Sequence, residues 1–441
     1  MTSPDLFHPE LESMSPAALR SHQEGLWRDQ WDYVRSASSF YKAKLAGDCT
    51  RPVSLETLQD LPLTDKDELK ESQAAHPPFG DYAACAPTRI VRLTRTSGTT
   101  NRAMNLAQSR ADAEMTARIG ARGMYAAGLR PGDRVVHCLN YCLWTGGVTD
   151  HTILEATGAT VIPFGVGNTR QLVDTILELK VTAISCTPSY PALIEKLLRE
   201  EGIIAPRDLG LRLALFGGEA GLDNPGFRQR MEETWGFGAR NANYGLSEVM
   251  SILGSQCEHT TDLHFHAGDA VFAELLDPAT RQRLPVGEGT VGELVCTHLR
   301  KECQPLVRYA TRDVVTVTGA ERCSCGRTAW RFRVTGRTDE MFNVRGVNVF
   351  PGAIRNIVVG RPELFSGHFR IRLEGPGPYD RIELAAEAAQ GLAPALWTDA
   401  ARTLEVAIKS GIGASAVVTV VAHESLPRTA GKTSWVERRS A

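Results

Sequence analysis

The 441-residue sequence lacks the features of a membrane-spanning or strongly charged protein. No apolar run approaches the roughly 18 residues that cross a bilayer. The first ten residues carry Asp5 and Glu10 and have no apolar core, so we expect no secretory signal. The 49 Lys and Arg residues nearly balance the 51 Asp and Glu residues, which leaves a net charge of −2. We therefore expect neither a nucleic-acid-binding surface nor a membrane-binding patch.

Paired Cys-x-x-Cys motifs are also absent, although the chain has ten cysteines. In a chain of this size without a secretory signal, clustered cysteines indicate metal binding or catalysis more often than disulfides. We therefore expect a cytoplasmic protein with reduced thiols. Cys323 and Cys325 form the closest pair, and either they are two buried free thiols or they bind Zn²⁺ with further ligands. Candidates for those ligands are Cys257, His259, His264 and His266.

The length exceeds what one core usually fills, so we expect a large and a small domain. Residues 1–80 are expected to be mostly helical. Further on, short apolar strands alternate with amphipathic helices, which predicts right-handed βαβ units and a largely parallel sheet. The predicted strands are 134–139, 159–163, 181–186 and 211–216, and the predicted helices are 147–156, 169–179, 188–199 and 223–235. After about Cys257, strands 271–276 and 292–297 flank a turn-rich stretch, which predicts antiparallel pairing.

Parallel sheets bind ligands in the loops at the carboxyl ends of their strands. We therefore expect one ligand-binding rim formed by the segments after Leu93, Leu139, Cys186, Phe216 and Ala242. The segment after Leu93 contains Thr96-Ser97-Gly98-Thr99-Thr100-Asn101-Arg102. Its hydroxyls and free N–H groups suit phosphate oxygens, although the same composition occurs in ordinary turns. It is not a Walker A loop, because Gly-x-x-x-x-Gly-Lys-Ser/Thr is absent.

Four further segments carry residue types that suit nucleotide chemistry, although each also fits an ordinary turn, ion pair or basic tail. In Tyr244-Gly245-Leu246-Ser247-Glu248, the ring can stack on a base and the carboxylate can hold Mg²⁺. In Arg308-Tyr309-Ala310-Thr311-Arg312-Asp313, the last Asp suits ribose hydroxyls. Gly336-Arg337-Thr338-Asp339-Glu340 fits an interdomain hinge. Pro427-Arg428-Thr429-Ala430-Gly431-Lys432 can deliver a mobile positive charge.

Together and in this order, the five segments resemble the core motifs of the adenylate-forming superfamily of acyl-CoA synthetases, peptide-synthetase adenylation domains and luciferases. Residues 143–147, 187–190, 292–295 and 345–351 resemble phenylacetate–CoA ligases in particular, and the likeness runs from about Leu61 to Arg439. The implied fold is α/β. A large N-terminal domain, 1–336, has mainly parallel sheets flanked by helices plus a β-rich part. A small α+β lid domain, 337–441, is mobile and carries the catalytic lysine.

The resemblance implies two half-reactions. A carboxylate attacks the α-phosphorus of ATP to give acyl-AMP and pyrophosphate, and the thiol of coenzyme A then displaces AMP. The implied catalytic residues are Lys432, Glu248, which also ligates Mg²⁺, and Arg337. Rotation about the hinge Asp339 moves Lys432 away and brings residues 345–348 in for thiol attack. The implied ATP-binding residues are Thr96, Ser97, Gly98, Thr99, Thr100, Arg102, Gly217, Gly218, Glu219, Asn243, Tyr244, Gly245, Ser247, Asp313, Arg337 and Lys432.

The same resemblance implies a structural zinc and a homodimer. Its ligases carry a zinc held by one Cys, one His and a Cys-x-Cys pair. Here the matching residues are Cys257, His264, Cys323 and Cys325. A closed site of three cysteines and one histidine is structural, because no position remains open for a substrate.

Two stretches depart from the phenylacetate–CoA ligase pattern. The phosphate loop reads Asn101-Arg102-Ala103 where the family usually has Gly-Lys-Pro, which exchanges a point charge for a planar guanidinium. The acyl pocket is also different, and we expect a small aromatic acid between the flat side chains of Tyr141 and Trp144, although Trp144 fits core packing equally well. Asn243 stands where the relatives tend to have Ile, which points to a hydroxylated or amino-substituted acid. The expected pocket residues are Tyr141, Trp144, Phe216, Gly218 and Asn243.

Three interpretations stay open at this point. The first is an aryl- or acyl-CoA ligase. The second is an adenylating enzyme that passes its acyl group to a carrier protein or an amine, which shares every motif. The third is a catalytically silent nucleotide-binding protein, which only the altered phosphate loop favours.

Overall fold

The computed structural model describes residues 5–46, 53–96, 103–219, 222, 225–375, 377–426 and 435–439. The chain divides into two compact units. Unit 1 comprises Met1–Asp223, Arg228–Thr311 and Thr316–Arg333, and unit 2 comprises Asn224–Phe227, Arg312–Val315 and Val334–Ala441. Within the described ranges, no helix is both long and apolar enough to cross a membrane.

The first 80 residues are mostly helical, as predicted, and two helices of unit 1 begin with a capping box. Asp65 and Glu68 form a reciprocal capping box at the start of α4, and Ser109 and Asp112 do the same for α5. The helices of the first 240 residues are α1 (Pro9–Glu12), α2 (Pro16–Ala37), α3 (Ser39–Lys44), α4 (Lys66–Ala75), α5 (Arg110–Ala126), α6 (Thr145–Ala156), α7 (Thr169–Glu178), α8 (Tyr190–Glu201), α9 (Ala205–Asp208) and α10 (Pro225–Trp235).

The predicted βαβ repeats are confirmed. Their strands are parallel and lie in the order β4-β3-β5-β6-β7. The strands are β3 (Arg134–His137), β4 (Thr160–Ile162), β5 (Ala183–Cys186), β6 (Leu213–Gly217) and β7 (Gly238–Leu246). The residues of β5 and β6 are all buried, as expected for parallel strands covered by helices on both faces. The carboxyl ends of these strands place the predicted rim on one edge of unit 1.

The same sheet continues as an antiparallel part, and the described strands together make twelve. The order from β7 outward is β8-β9-β14-β13-β12-β10-β11. The predicted antiparallel pair is confirmed as β10 and β12. The strands are β8 (Met250–Cys257), β9 (Thr260–Phe265), β10 (Val271–Leu276), β11 (Arg283–Leu284), β12 (Val291–His298), β13 (Tyr309–Gly319) and β14 (Arg331–Arg337).

The first rim segment follows a strand of a different sheet. The segment around Leu93 does not belong to the parallel sheet, because β1 (Ile90–Arg95) pairs antiparallel with β2 (Asn105–Ser109) in a separate two-stranded sheet. Its end still reaches the rim, since Arg95 N donates to the Leu143 carbonyl at 2.6 Å. The expectation of reduced thiols also differs from the structure, which bonds Cys85 to Cys303 in a disulfide.

Unit 2 contains a small α+β domain with its own core. Its sheet has the order β19-β18-β17-β20, and a separate hairpin is formed by β15 and β16. Helices α11 and α12 contribute Ile354, Leu404 and Ile408 to the core, each fully buried. The elements are β15 (Phe342–Val344), β16 (Val347–Val349), α11 (Pro351–Val359), β17 (Phe365–Glu374), β18 (Ile382–Ala388), α12 (Trp397–Ile412), β19 (Ala416–Val421) and β20 (Val436–Arg439).

Candidate active site

Thr96 closes the base of the predicted phosphate loop. It is buried, its N–H donates to the Met104 carbonyl at 3.1 Å, and its Oγ1 accepts from Met104 N at 3.0 Å. These two bonds join the residues on either side of the loop. The other predicted phosphate-binding residues, Ser97, Gly98, Thr99, Thr100 and Arg102, lie outside the described residues, as does Lys432. The structure therefore defines the residues that flank this loop.

Glu248, the predicted Mg²⁺ ligand, is buried beside a cation and a phenol. Lys66 Nζ lies 2.9 Å from Glu248 Oε1, and the Tyr309 hydroxyl donates to the same oxygen at 2.6 Å. Burial disfavours the charged carboxylate, but Lys66 and Tyr309 outweigh burial and hold the pKa of Glu248 below its ordinary value. Glu248 is therefore an ionised carboxylate whose position is fixed on two sides.

The segment before Glu248 is shaped by a close backbone approach. A Cβ on Gly245 would lie 2.0 Å from the Ser251 carbonyl oxygen, so only glycine fits there. The half-buried ring of Tyr244 packs edge-to-face on Phe332, with 5.3 Å between ring centroids. Ser247 is also half-buried in the turn that follows β7. The geometry leaves part of the Tyr244 ring accessible for stacking.

Trp144 and two glycines form an aromatic wall on the same rim. A Cβ on Gly218 would lie 3.5 Å from Trp144 Cη2, and one on Gly146 would lie 3.0 Å from the same atom. Both glycines therefore leave room for the indole ring, which contacts both segments. Tyr141 is held nearby, since its hydroxyl lies 3.0 Å from His151 Nδ1 and its ring packs edge-to-face on His137.

The structure places the remaining rim residues in three different settings. Phe216 lies in the core with 1% exposure and packs on Phe237, so its ring is not part of an open wall. Glu219 is exposed and accepts hydrogen bonds from the backbone and hydroxyl of Ser189, at 3.3 and 3.1 Å. Gly217 lies against Asn243, because a Cβ on Gly217 would be 2.4 Å from Asn243 Cβ.

Asn243 is hydrogen-bonded to Asp150, a residue that was not among those predicted from the sequence. The carboxylate of Asp150 has no exposed surface and accepts from Asn243 Nδ2 and from Ser251 Oγ. Burial, only partly offset by these two bonds, raises the pKa of Asp150 to about 7. Asp150 lies in the second turn of α6, the helix that Trp144 begins. The aromatic wall and the polar Asn243 are thus connected through one helix.

In unit 2, the predicted ribose-binding and hinge residues contact one another. Arg337 Nη1 donates to Asp313, and its Nε and Nη2 donate to both oxygens of Asp339 at 3.0 Å. Arg312 Nη1 lies 3.8 Å from Asp339 Oδ2. Burial opposes ionisation of Asp339, but Arg337 and Arg312 hold its pKa below the ordinary value. The predicted hinge residue is therefore an anchored carboxylate.

The predicted zinc ligands come together in unit 1. One ligand atom each from Cys257, His264, Cys323 and Cys325 lies within 4.8 Å of the other three. His264 Nε2 is 3.7 Å from Cys325 Sγ, and His264 Nδ1 is 3.3 Å from the Ala329 carbonyl. If Nδ1–H donates to that carbonyl, Nε2 keeps its lone pair, and this lone pair faces the thiols. The other two candidate histidines, His259 and His266, are not part of this cluster.

Sequence reasoning missed Lys66, Tyr309 and Asp150. Lys66 gave no signal, since nothing in α4 indicates that its first residue reaches Glu248. Tyr309 lay inside a recognised motif without a role. Asp150 had a usable signal, because a carboxylate followed by His151 in the middle of a helix predicted to cover a parallel sheet is unusual for a buried position.

The chain belongs to the family of AMP-binding enzymes. The model of the AMP-binding enzyme family matches residues 36–298, and that of the AMP-binding enzyme C-terminal domain matches residues 346–439. This is the class that the parallel sheet, the Tyr244–Glu248 segment and the separate α+β domain define.

Similar proteins narrow the class to ligases. Phenylacetate-coenzyme A ligase of Thermus thermophilus is 34% identical over 87% of this chain and 85% of its own length. The Escherichia coli enzyme of the same name is 33% identical over 89% and 88%. A crystal structure of 2-hydroxyisobutyryl-CoA ligase superposes with a TM-score of 0.85 at 29% identity, covering 100% of this chain and 93% of that one.

The protein is an AMP-forming acid–thiol ligase. It activates a small carboxylic acid with ATP to an acyl-AMP and transfers the acyl group to coenzyme A. The expected likeness to phenylacetate–CoA ligases is confirmed.

Proposed function

We propose that the acid is small and aromatic and that Trp144 forms one wall of its pocket. The observation that carries this proposal is the indole ring held 3.5 Å from the Cβ position of Gly218. A flat wall of this kind suits an aryl group, because aromatic rings gain from stacked and edge contacts beyond the area they bury. The names of the curated relatives, which are phenylacetate ligases, support an aryl acid.

Most of the first half-reaction consists of positioning and charge neutralisation. We assign the β- and γ-phosphates to the loop that begins at Thr96, adenine to Tyr244, and the incoming carboxylate and α-phosphate to Lys432. In unit 2, we assign Asp313 to bind the ribose hydroxyls. Arg337 is assigned to lie between the ribose and the phosphates. The remaining predicted ATP-binding residues keep their assignments as predictions, and so do the hinge role of Asp339 and the homodimer.

The surroundings of Glu248 fit a magnesium ion. The carboxylate is ionised, and its contacts with Lys66 and Tyr309 both fall on Oε1. A hard divalent cation prefers carboxylate oxygens, and Glu248 would hold it. Bound there, the ion would supply neutralisation of phosphate charge. Lys66 adds a second positive charge at the same carboxylate.

The four-residue cluster in unit 1 fits a zinc ion. Tetrahedral Zn²⁺ with bonds of about 2.3 Å to sulfur separates its sulfur ligands by about 3.8 Å, which the cluster can satisfy. The Ala329 carbonyl fixes the tautomer of His264, as is usual for a zinc-bound histidine. We assign Cys257, His264, Cys323 and Cys325 as a structural zinc site.

The proposal is tested by acid-dependent exchange of labelled pyrophosphate into ATP, with a panel of acids. We expect exchange with small aryl acids such as phenylacetate and benzoate derivatives, and little with long-chain fatty acids. Preference for long-chain acids would overturn the aromatic assignment. Release of AMP is then followed with coenzyme A, a carrier protein or an amine as acceptor. Only coenzyme A should accelerate AMP release, whereas faster release with the others would favour the second interpretation.

A further inference from the structure

Asp150 is a buried carboxylate that no cation neutralises in the described part of the chain. Its Oδ2 accepts from Asn243 Nδ2 and its Oδ1 from Ser251 Oγ. Its side chain has 0% exposure. Burying a carboxylate without a cation is costly, because two neutral hydrogen bonds replace only part of its hydration. Stability alone does not account for an Asp at this position.

The carboxylate determines which way the Asn243 amide faces. When Asp150 is ionised, its oxygens only accept hydrogen bonds, so the amide nitrogen points to Asp150 and the carbonyl Oδ1 points away. Among the described residues, no donor reaches Asn243 Oδ1. The half-buried Asn243 therefore presents a hydrogen-bond acceptor of fixed orientation at the end of β7.

This acceptor lies beside the aromatic wall. Asn243 packs on Gly217, since a Cβ there would be 2.9 Å from Asn243 Cγ, and Trp144 packs on the next residue, Gly218. The two glycines, the last residue of β6 and the one after it, leave space for one polar and one aromatic side chain. An acid that stacks on Trp144 therefore lies near the side-chain amide of Asn243.

We propose that Asp150 is a positioning residue that fixes Asn243 Oδ1 as an acceptor, and that the enzyme selects acids carrying an O–H or N–H donor besides the carboxylate. This rests on the proposed function, since it takes Trp144 and Asn243 as walls of the acid pocket. Ring-hydroxylated and ring-aminated aryl acids have such a donor, and so do α-hydroxy acids.

The physical basis of the selection is the cost of an unpaired polar group. A donor-bearing acid satisfies Oδ1 when it displaces water, whereas an acid without a donor leaves Oδ1 desolvated and unpaired. An amide held by a buried carboxylate cannot rotate to avoid this cost. One such hydrogen bond predicts a preference of about tenfold in kcat/KM.

The test uses matched pairs of acids in the acid-dependent pyrophosphate exchange. One pair is phenylacetate with its ring-hydroxylated or ring-aminated derivative, and the other is 2-methylpropanoate with its 2-hydroxy derivative. The ratio of kcat/KM values within a pair is compared for the wild type, Asn243→Leu, Asp150→Asn and the control Thr149→Val. Thr149 is buried on the same turn of α6, and its hydroxyl has no hydrogen-bond partner among the residues that the structure describes, so this change removes a polar group without touching the amide.

We expect the wild type to prefer the donor-bearing acid about tenfold in at least one pair. Asn243→Leu should bring that ratio close to one, Asp150→Asn should lower it, and Thr149→Val should keep it. The pair that shows the preference identifies a ring or an α-substituent as the donor.

Ratios near one in the wild type for both pairs overturn the inference. So does an equal loss on both acids in Asn243→Leu and Asp150→Asn, which is the signature of a merely structural role. Absence of exchange with every acid would instead contradict the proposed function.

Discussion

Two buried carboxylates in unit 1 have pKa values shifted in opposite directions, because their neighbours differ. Glu248 has Lys66 and the Tyr309 hydroxyl beside it, and its pKa lies below the ordinary value. Asp150 has only neutral donors among the residues that the structure describes, and burial raises its pKa to about 7. The first carboxylate is thus ionised at neutral pH, while the second is at the midpoint of its titration.

The raised pKa of Asp150 predicts a pH-dependent stability. Because the folded state holds the proton more tightly than the unfolded chain, stability is greatest at low pH and falls as pH rises from about 4 to about 7. A shift from 3.8 to about 7 corresponds to about 4 kcal/mol by pH 8. The side chain introduced by Asp150→Asn does not titrate. The free energy of unfolding of this variant should therefore rise relative to that of the wild type as the pH increases across this range.

Urea unfolding at several pH values measures this difference. Thr149→Val is the control, and its difference from the wild type should not change with pH. A difference between Asp150→Asn and the wild type that stays constant from pH 5 to pH 8 would show that Asp150 titrates as in water.

At the scale of elements, the zinc cluster joins β8 and β9 to the segment between β13 and β14. Cys257 ends β8, His264 lies in β9, and Cys323 and Cys325 lie in the connection that leads to β14. Strand β9 also pairs directly with β14, with His264 opposite Arg331. A metal bound there would hold together segments that the chain brings back from a distance, which stabilises the antiparallel part of the sheet.

We predict that Cys323→Ser lowers the zinc content and the melting temperature before it affects the chemistry. Zinc content is measured by elemental analysis and stability by thermal unfolding, with pyrophosphate exchange recorded on the same samples. Cys142→Ser is the matched control, because Cys142 is an exposed free cysteine outside the cluster. Wild-type protein without zinc, or a Cys323→Ser variant that matches the control in melting temperature, would refute the site.

The parallel half of the sheet could be predicted from the sequence because its signals are local. Each strand is a short apolar run followed by an amphipathic helix, and the helix predicted at 147–156 is found at Thr145–Ala156. The β1 hairpin could not be assigned, since residues 90–93 look the same whichever strand they pair with. The order of the antiparallel strands is set by distant partners such as β9 and β14, which no local pattern encodes.

The candidate site also contains residues that local motifs predict and residues that only distant contacts bring into place. Glu248, Tyr244 and the four cluster residues lie in motifs, so resemblance could name them. Lys66 and Asp150 lie in helices without a motif, and their contacts with Glu248 and Asn243 depend on the packing of whole elements. Sequence reasoning also put Phe216 in the pocket, where the structure shows a core side chain against Phe237.

At the scale of the whole molecule, the two half-reactions should separate in one variant. We predict that Lys432→Ala lowers pyrophosphate exchange by at least about 100-fold, since one positive charge at the α-phosphate is lost. Thioester formation from presented acyl-AMP and coenzyme A should be spared. Lys409→Ala is a suitable control, because Lys409 is also in unit 2 and its exposed ammonium donates to the Gly413 carbonyl at the carboxyl end of α12. Undiminished exchange in Lys432→Ala would remove this residue from the first step.

The central claim is that the acid's own oxygen attacks the α-phosphorus of ATP. The most direct measurement uses an acid labelled with ¹⁸O at both carboxylate oxygens, with ATP, coenzyme A and the wild-type enzyme. In the first step one labelled oxygen becomes bonded to the α-phosphorus, and in the second the acyl carbon–oxygen bond breaks as the thioester forms. Mass spectrometry should therefore find one ¹⁸O atom in each AMP and none in pyrophosphate. Label in inorganic phosphate together with ADP, or AMP without label, would contradict the account.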